Sequence, residues 1–115
     1  MAKISDFIKK GSEEGKEKHV PSIRVVECEG CGELSVTVKV GENIFHPSTP
    51  EHYIVYIELF GVNQDNKLIV ITKFELGKEN TIPYVKTHIK KGIFKSLIAT
   101  SFCNVHGLWE NSVEI

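Results

Sequence analysis

From Glu33 to Val40 polar and apolar residues alternate without a break, Glu-Leu-Ser-Val-Thr-Val-Lys-Val. A period of two is what a β-strand with one buried and one wet face requires. Six further runs are rich in β-branched and aromatic residues: Ile23 to Glu27, Tyr53 to Phe60, Leu68 to Glu75, Tyr84 to Ile89, Phe94 to Phe102 and Leu108 to Ile115. Turn-forming clusters separate them at Gly30-Cys31-Gly32, Gly61 to Asn66, Gly77 to Asn80 and Lys90-Lys91-Gly92. Seven short strands at this spacing, with no amphipathic helix between them, predict an all-β fold. The expected architecture is a seven-stranded antiparallel immunoglobulin-like sandwich or barrel rather than a parallel α/β sheet. Residues 1–18 follow neither period: they are polar and charge-rich, with one short helical turn around Asp6-Phe7-Ile8-Lys9, and read as an N-terminal arm.

Length and composition narrow the classes. The 115 residues suit one hydrophobic core, hence a single domain spanning 1–115. A net charge of -1, with a quarter of the residues charged and 41% hydrophobic, indicates neither disorder nor a polyanion-binding surface, so nucleic acid is not an expected partner. The N-terminus Met1-Ala2-Lys3-Ile4-Ser5-Asp6 has no apolar run, and no later stretch is long and uncharged enough to span a bilayer. The expectation is a soluble cytoplasmic protein without membrane association. Three cysteines without an export signal make a disulfide framework a poor explanation, and favour metal binding or a free thiol.

Candidate chemistry concentrates in three short polar segments. They are Glu17-Lys18-His19, then His46 to His52, and Cys103-Asn104-Val105-His106, which together hold four of the five histidines and one cysteine. Imidazole and thiolate are transition-metal ligands. Cys103 and His106 stand three apart at the end of a strand, where a tight loop helped by Asn104 and Gly107 can aim both at one ion. In such a loop the amides of Val105 and His106 point back toward the sulfur and lower its basicity. A lone CxxH is a weak signal, and a buried cysteine beside an unrelated surface histidine reads equally well. In His46-Pro47-Ser48-Thr49-Pro50-Glu51-His52 the prolines exclude a regular strand and stiffen a loop with histidine at both ends. His88, in a β-like run ending in Lys90-Lys91, reads as a surface residue.

Taken together, Glu17-Lys18-His19-Val20-Pro21, His46-Pro47, Glu51-His52 and Cys103-Asn104-Val105-His106-Gly107-Leu108-Trp109-Glu110-Asn111 resemble the superoxide reductase family. The likeness is to its short one-iron form, neelaredoxin, and to the iron-binding domain of desulfoferrodoxin, in the same order from about Gly15 to Val113. The resemblance implies an immunoglobulin-like sandwich or barrel carrying one mononuclear non-haem iron that cycles between Fe2+ and Fe3+. By position in the motifs, His19, His46, His52 and His106 would be four equatorial ligands and Cys103 an axial thiolate, with the sixth position open. Glu17 would enter that position in the resting ferric state. The implied reaction takes superoxide, one electron and two protons to hydrogen peroxide, with rubredoxin or a similar small redox protein as donor. The family also suggests a homo-oligomer, a tetramer being favoured. Such a site would be cationic, at about +1 for ferrous iron with neutral imidazoles and one thiolate, and would draw in an anion with Lys18 adding to the pull.

Two departures from the family pattern stand out. Only 18 residues precede His19, leaving no room for the four-cysteine iron domain of the two-iron branch. Cys28-Glu29-Gly30-Cys31 instead forms a CxxC at a hairpin tip, read as reduced surface thiols or a reversible disulfide in preference to half of a metal site shared between subunits. The segment from Asn80 to Lys91 is also short for the family. Among rivals, a cupredoxin-like electron carrier would use two histidines, one cysteine and an axial methionine, whereas Met1 is the sole methionine here. Structural zinc needs fewer donors than the segments offer. In a metal-free immunoglobulin-like binding module Trp109, Phe102 and Tyr56 would simply be core.

Overall fold

The computed structural model describes residues 1–10, 19–41 and 44–115. After a helical turn α1 (Ile4–Phe7), the strands are β1 (Lys9–Lys10), β2 (Pro21–Cys28), β3 (Glu33–Val40), β4 (Ile54–Asn63), β5 (Leu68–Glu75), β6 (Tyr84–Lys90), β7 (Phe94–Cys103) and β8 (Gly107–Glu114). They form a five-stranded sheet in the order β1-β8-β7-β4-β5 and a three-stranded sheet in the order β2-β3-β6. All seven expected strands are present, and the two layers make the expected sandwich. The correction is an eighth strand: β1, in the arm, pairs in parallel with β8 through Lys9↔Trp109 and Lys10↔Glu110. Two adjacent lysines carry no period-two pattern, so only the backbone bonding of the sheet edge defines this strand.

The alternation in β3 becomes packing. Leu34, Val36, Val38 and Val40 face inward and are buried, meeting Ile54, Ile57 and Leu59 of β4 and Leu97, Ala99 and Cys103 of β7. Each large aliphatic side chain fully buried here contributes about 1.5–3 kcal/mol of transfer free energy. Trp109 is also buried, whereas Tyr56 and Phe102 are half-buried and pair with each other, ring centroids 5.7 Å apart, outside the core cluster.

One irregularity positions the site. Along β4 and β7, Ile54 faces Cys103 but Tyr56 faces Phe102, so Val55 is an extra residue, a bulge that re-phases the strand next to the metal-ligand-type residues. The bulge's free carbonyl is used by the amide of Leu76, at 3.0 Å. At the opposite end of the small sheet, the β2–β3 hairpin tip is closed by a Cys28–Cys31 disulfide. The disulfide alternative in the CxxC reading therefore holds. Among the described residues no helix is long and apolar enough to cross a membrane.

Candidate metal centre

Three chain segments meet at one end of the sandwich. His19 leads into β2, His46 and His52 bound the proline-containing loop before β4, and Cys103 and His106 bound the turn between β7 and β8. One ligand-type atom from each of His19, His46, His52 and Cys103 lies within 4.8 Å of every other. His106 completes the cluster: its Nδ1 is 3.0 Å from His19 Nε2, 3.2 Å from His52 Nε2 and 3.8 Å from Cys103 Sγ. His46 Nε2 lies 3.4 Å from the same sulfur. The structure thus brings together all five expected metal-site residues. Glu17 and Lys18, expected at the open side of the site, lie outside the described residues.

Hydrogen bonds and stacking hold the candidate donors in place. His46 donates from Nδ1 to the Pro47 carbonyl at 2.8 Å, which leaves Nε2 with a free lone pair aimed at the cluster. The Ser101 hydroxyl donates to the His19 carbonyl at 3.2 Å, and the His19 ring stacks on Trp109, centroids 5.0 Å apart and planes 14° off parallel. The amide of His52 donates to Thr49 Oγ1 at 3.1 Å, and Thr49 N donates to the His52 carbonyl at 2.9 Å, a closed turn within the loop. Asn104 ties two ligand loops together: its side-chain amide donates to the Glu51 carbonyl at 3.0 Å, and its Oδ1 accepts from Tyr53 N at 2.9 Å. Asn111 donates to the Pro21 carbonyl at 3.3 Å, two residues past His19. Gly107, at φ 86°, supplies the left-handed backbone that closes the Cys103–His106 turn.

Electrostatics favour a metal. Burial pushes His46 from its usual 6.5 down to about 4; the Pro47 carbonyl opposes the drop and the imidazoles of His19, His52 and His106 add to it. A neutral imidazole is the ligating form. Of the two amides expected to point at the sulfur, that of His106 donates to Cys103 Sγ at 3.3 Å, a bond that favours negative charge on the sulfur. Ring nitrogens about 3 Å apart repel through their lone pairs unless a proton or a cation lies between them. Donors at about 2.1 Å (nitrogen) and 2.3 Å (sulfur) from a shared ion would be roughly 3 Å apart as neighbours and about 4.2–4.4 Å apart as opposites. The contacts of 3.0, 3.2 and 3.4 Å match neighbouring donors, and the ligand-type atoms of His19, His46, His52 and Cys103 all lie within 4.8 Å of one another, so the set fits one first-row transition ion, and five donors exceed a closed tetrahedral shell. His88, by contrast, is exposed and donates to Glu33 Oε1 at 3.1 Å, a surface residue as expected.

Two contributors carried no signal in the chain. Lys9 Nζ donates to the His106 carbonyl at 3.4 Å and lies 5.4 Å above the Trp109 ring, which brings a positive charge beside the cluster. Lys9 is 97 residues from His106, and only the β1–β8 pairing makes them neighbours. Ser101 is likewise a strand residue with no local mark of its role.

Comparison with known proteins agrees with this geometry. The desulfoferrodoxin family model matches residues 11–112. The superoxide reductase of Pyrococcus abyssi is 41% identical over 121 residues, covering 97% of this chain and 98% of that protein. The neelaredoxin of Megalodesulfovibrio gigas is 34% identical over 113 residues, covering 84% and 85%. The solved structure of the superoxide reductase (neelaredoxin) of Archaeoglobus fulgidus in its reduced form superposes with a TM-score of 0.81 at 33% identity, covering 94% of this chain and 97% of that one.

Proposed function

The chain belongs to the desulfoferrodoxin family, and we propose that it is a superoxide reductase, an oxidoreductase that converts superoxide to hydrogen peroxide at one mononuclear non-haem iron. His19, His46, His52 and His106 hold the iron through nitrogen and Cys103 through sulfur. The observation that carries the reading is the convergence of these five donors from three segments, with the thiolate under the His106 amide. Bound iron supplies the electron that the substrate accepts. The protein's part is to concentrate the anion and to hold the donors still. Lys9 stands beside the cluster and Lys18 adjoins His19 in the sequence, so capture of the anion slows as ionic strength rises. Glu17, two residues before His19 in the sequence, would be the sixth ligand when no substrate occupies the centre. Cys103 tunes the site through the strength of its sulfur as a donor, which the amide of His106 moderates.

Each turnover consumes an electron, so an external one-electron donor is required; rubredoxin or a similar small redox protein fits this role. The working form is a single iron domain over residues 1–115 in a cytoplasmic homo-oligomer, a tetramer being favoured. Iron analysis, the visible spectrum and superoxide assays test the function together. The expected result is about one iron per chain, a thiolate-to-ferric band in the oxidised protein, and superoxide consumption that yields peroxide without dioxygen. Copper or zinc in place of iron, or dioxygen as an equal product, would overturn it.

A further inference from the structure

The small sheet carries a charge pattern that the metal centre does not explain. Register fixes which side chains share its outer face, because Ile23 and Val25 of β2, Val36 and Val38 of β3, and Val85 and Ile89 of β6 turn inward. On the other side the cross-strand rows are Ser22–Lys39–Tyr84, Arg24–Thr37–Lys86, Val26–Ser35–His88 and Cys28–Glu33–Lys90. Four of these residues are cations, Arg24, Lys39, Lys86 and Lys90, against a single carboxylate, Glu33, which already binds His88. The whole chain carries a net charge of -1, so the cations are segregated rather than abundant. The row nearest the metal centre is also aromatic. Lys39 Nζ lies 5.3 Å above the Phe45 ring, and Phe45 meets Tyr84 edge-on at 6.3 Å, both rings about half exposed, at 47% and 53%. Ile44 and Ile82 extend this corner and are exposed at 69% and 63%. The corner abuts the metal site: Phe45 is bonded to His46, whose amide donates to the Val40 carbonyl, while Val40 N donates to the Pro83 carbonyl.

We infer that this face is the docking surface for an acidic one-electron donor protein, whose redox group comes to rest against the Phe45–Tyr84 corner, one peptide away from His46. The inference rests on the reading of the centre as a superoxide reductase that is re-reduced by a protein. Three arguments select the occupant. A second copy of this chain, placed with the same face against it, would bring cation against cation, and like charges across an interface disfavour association. Three strands of seven residues span about 14 Å by about 23 Å, which suits a short-lived redox encounter and not an obligate interface. A small exposed apolar corner ringed by charge provides steering over distance and contact where electrons cross.

The test uses the full-length, iron-loaded, oxidised protein with reduced rubredoxin of acidic net charge as the probe. Stopped-flow reduction is compared between the wild type and the triple variant R24E/K39E/K86E across ionic strengths. At low ionic strength the variant should be reduced at least about tenfold more slowly by rubredoxin, with the gap closing as salt is added. Its reduction by ascorbate, and superoxide consumption by the pre-reduced protein, should stay within about twofold of wild type. The single variant K86E should show a smaller slowing of the same kind, and carries the test should the triple variant not fold. Equal rubredoxin rates with the same salt dependence would overturn the docking surface. So would a single-stranded RNA that occupies the face at physiological salt while rubredoxin does not. Failure of the pre-reduced wild type to consume superoxide would instead overturn the functional reading, whatever the rubredoxin rates.

Discussion

Cys103 belongs at once to the apolar core and to the donor cluster. It is fully buried against the aliphatic residues of β4 and β7, and its sulfur still reaches His46, His106 and a backbone amide. Cys103→Ser keeps the size of the side chain but removes the soft donor, so the variant should fold, lose the thiolate-to-ferric band and lose superoxide reduction by at least about a hundredfold. Retained turnover in a superoxide assay would show that the sulfur is not a ligand. His46 yields a pH prediction for the metal-free protein. Its folded-state value is lowered to about 4 from 6.5, so between those values the unfolded chain takes up a proton that the folded chain refuses. This contribution is fully present above about pH 6.5, fades as pH falls toward 4, and amounts to at most about 3 kcal/mol. Urea titrations at pH 7.5 and pH 5 should therefore show a loss of stability that His46→Gln reduces; an unchanged loss would count against it. The candidate metal-site residues were legible because histidine and cysteine are scarce and chemically specific. Ser101 and Lys9 were not, because common polar side chains gain their roles only from partners that folding brings close, 82 residues away for Ser101 and 97 for Lys9.

At the scale of the elements, the strands follow from period-two patterning almost to their ends, since β3 runs from Glu33 to Val40 as its alternation predicts. The helical turn forms slightly earlier than expected, at Ile4–Phe7, and β1 was invisible because a two-residue strand has no period. The bulge at Val55 was equally hidden: it is a relation between two strands, not a property of either. Crowding between strands also sets the identity of Gly61, where an added Cβ would overlap the Phe94 ring, within 2.7 Å of its Cγ. Gly61→Ala should cost about 1–3 kcal/mol. Adding Phe94→Leu should recover part of that loss, because the two positions are coupled through one contact. Thermal unfolding of the four proteins of the cycle measures it, and strict additivity would show that the ring is not the obstacle. The ligand loops depend on Asn104 in the same relational way, as it bonds residues 51 and 53 from the far side of a turn.

For the molecule as a whole, the donors come from both layers: His19 enters the small sheet, while Cys103 ends a strand of the large one. An ion bound by these donors would therefore brace the two layers at one end of the sandwich. Ligand that binds only the folded state at a hundred times its Kd stabilises by about 2.7 kcal/mol. For a chain of this size, that corresponds to a rise in Tm on the order of 10 °C. Calorimetry before and after chelation should show at least this loss, with recovery on adding ferrous iron; no difference would mean that the cluster does not hold metal in the folded state. Which layers would meet, and at which end, could not be read from local pattern, because strands that pair lie far apart in the chain, β1 with β8 and β4 with β7. The chain has one tryptophan, and it lies stacked on the ring of His19. Its indole emission is therefore a label-free gauge of iron loading, quenched as the centre fills and restored as it empties.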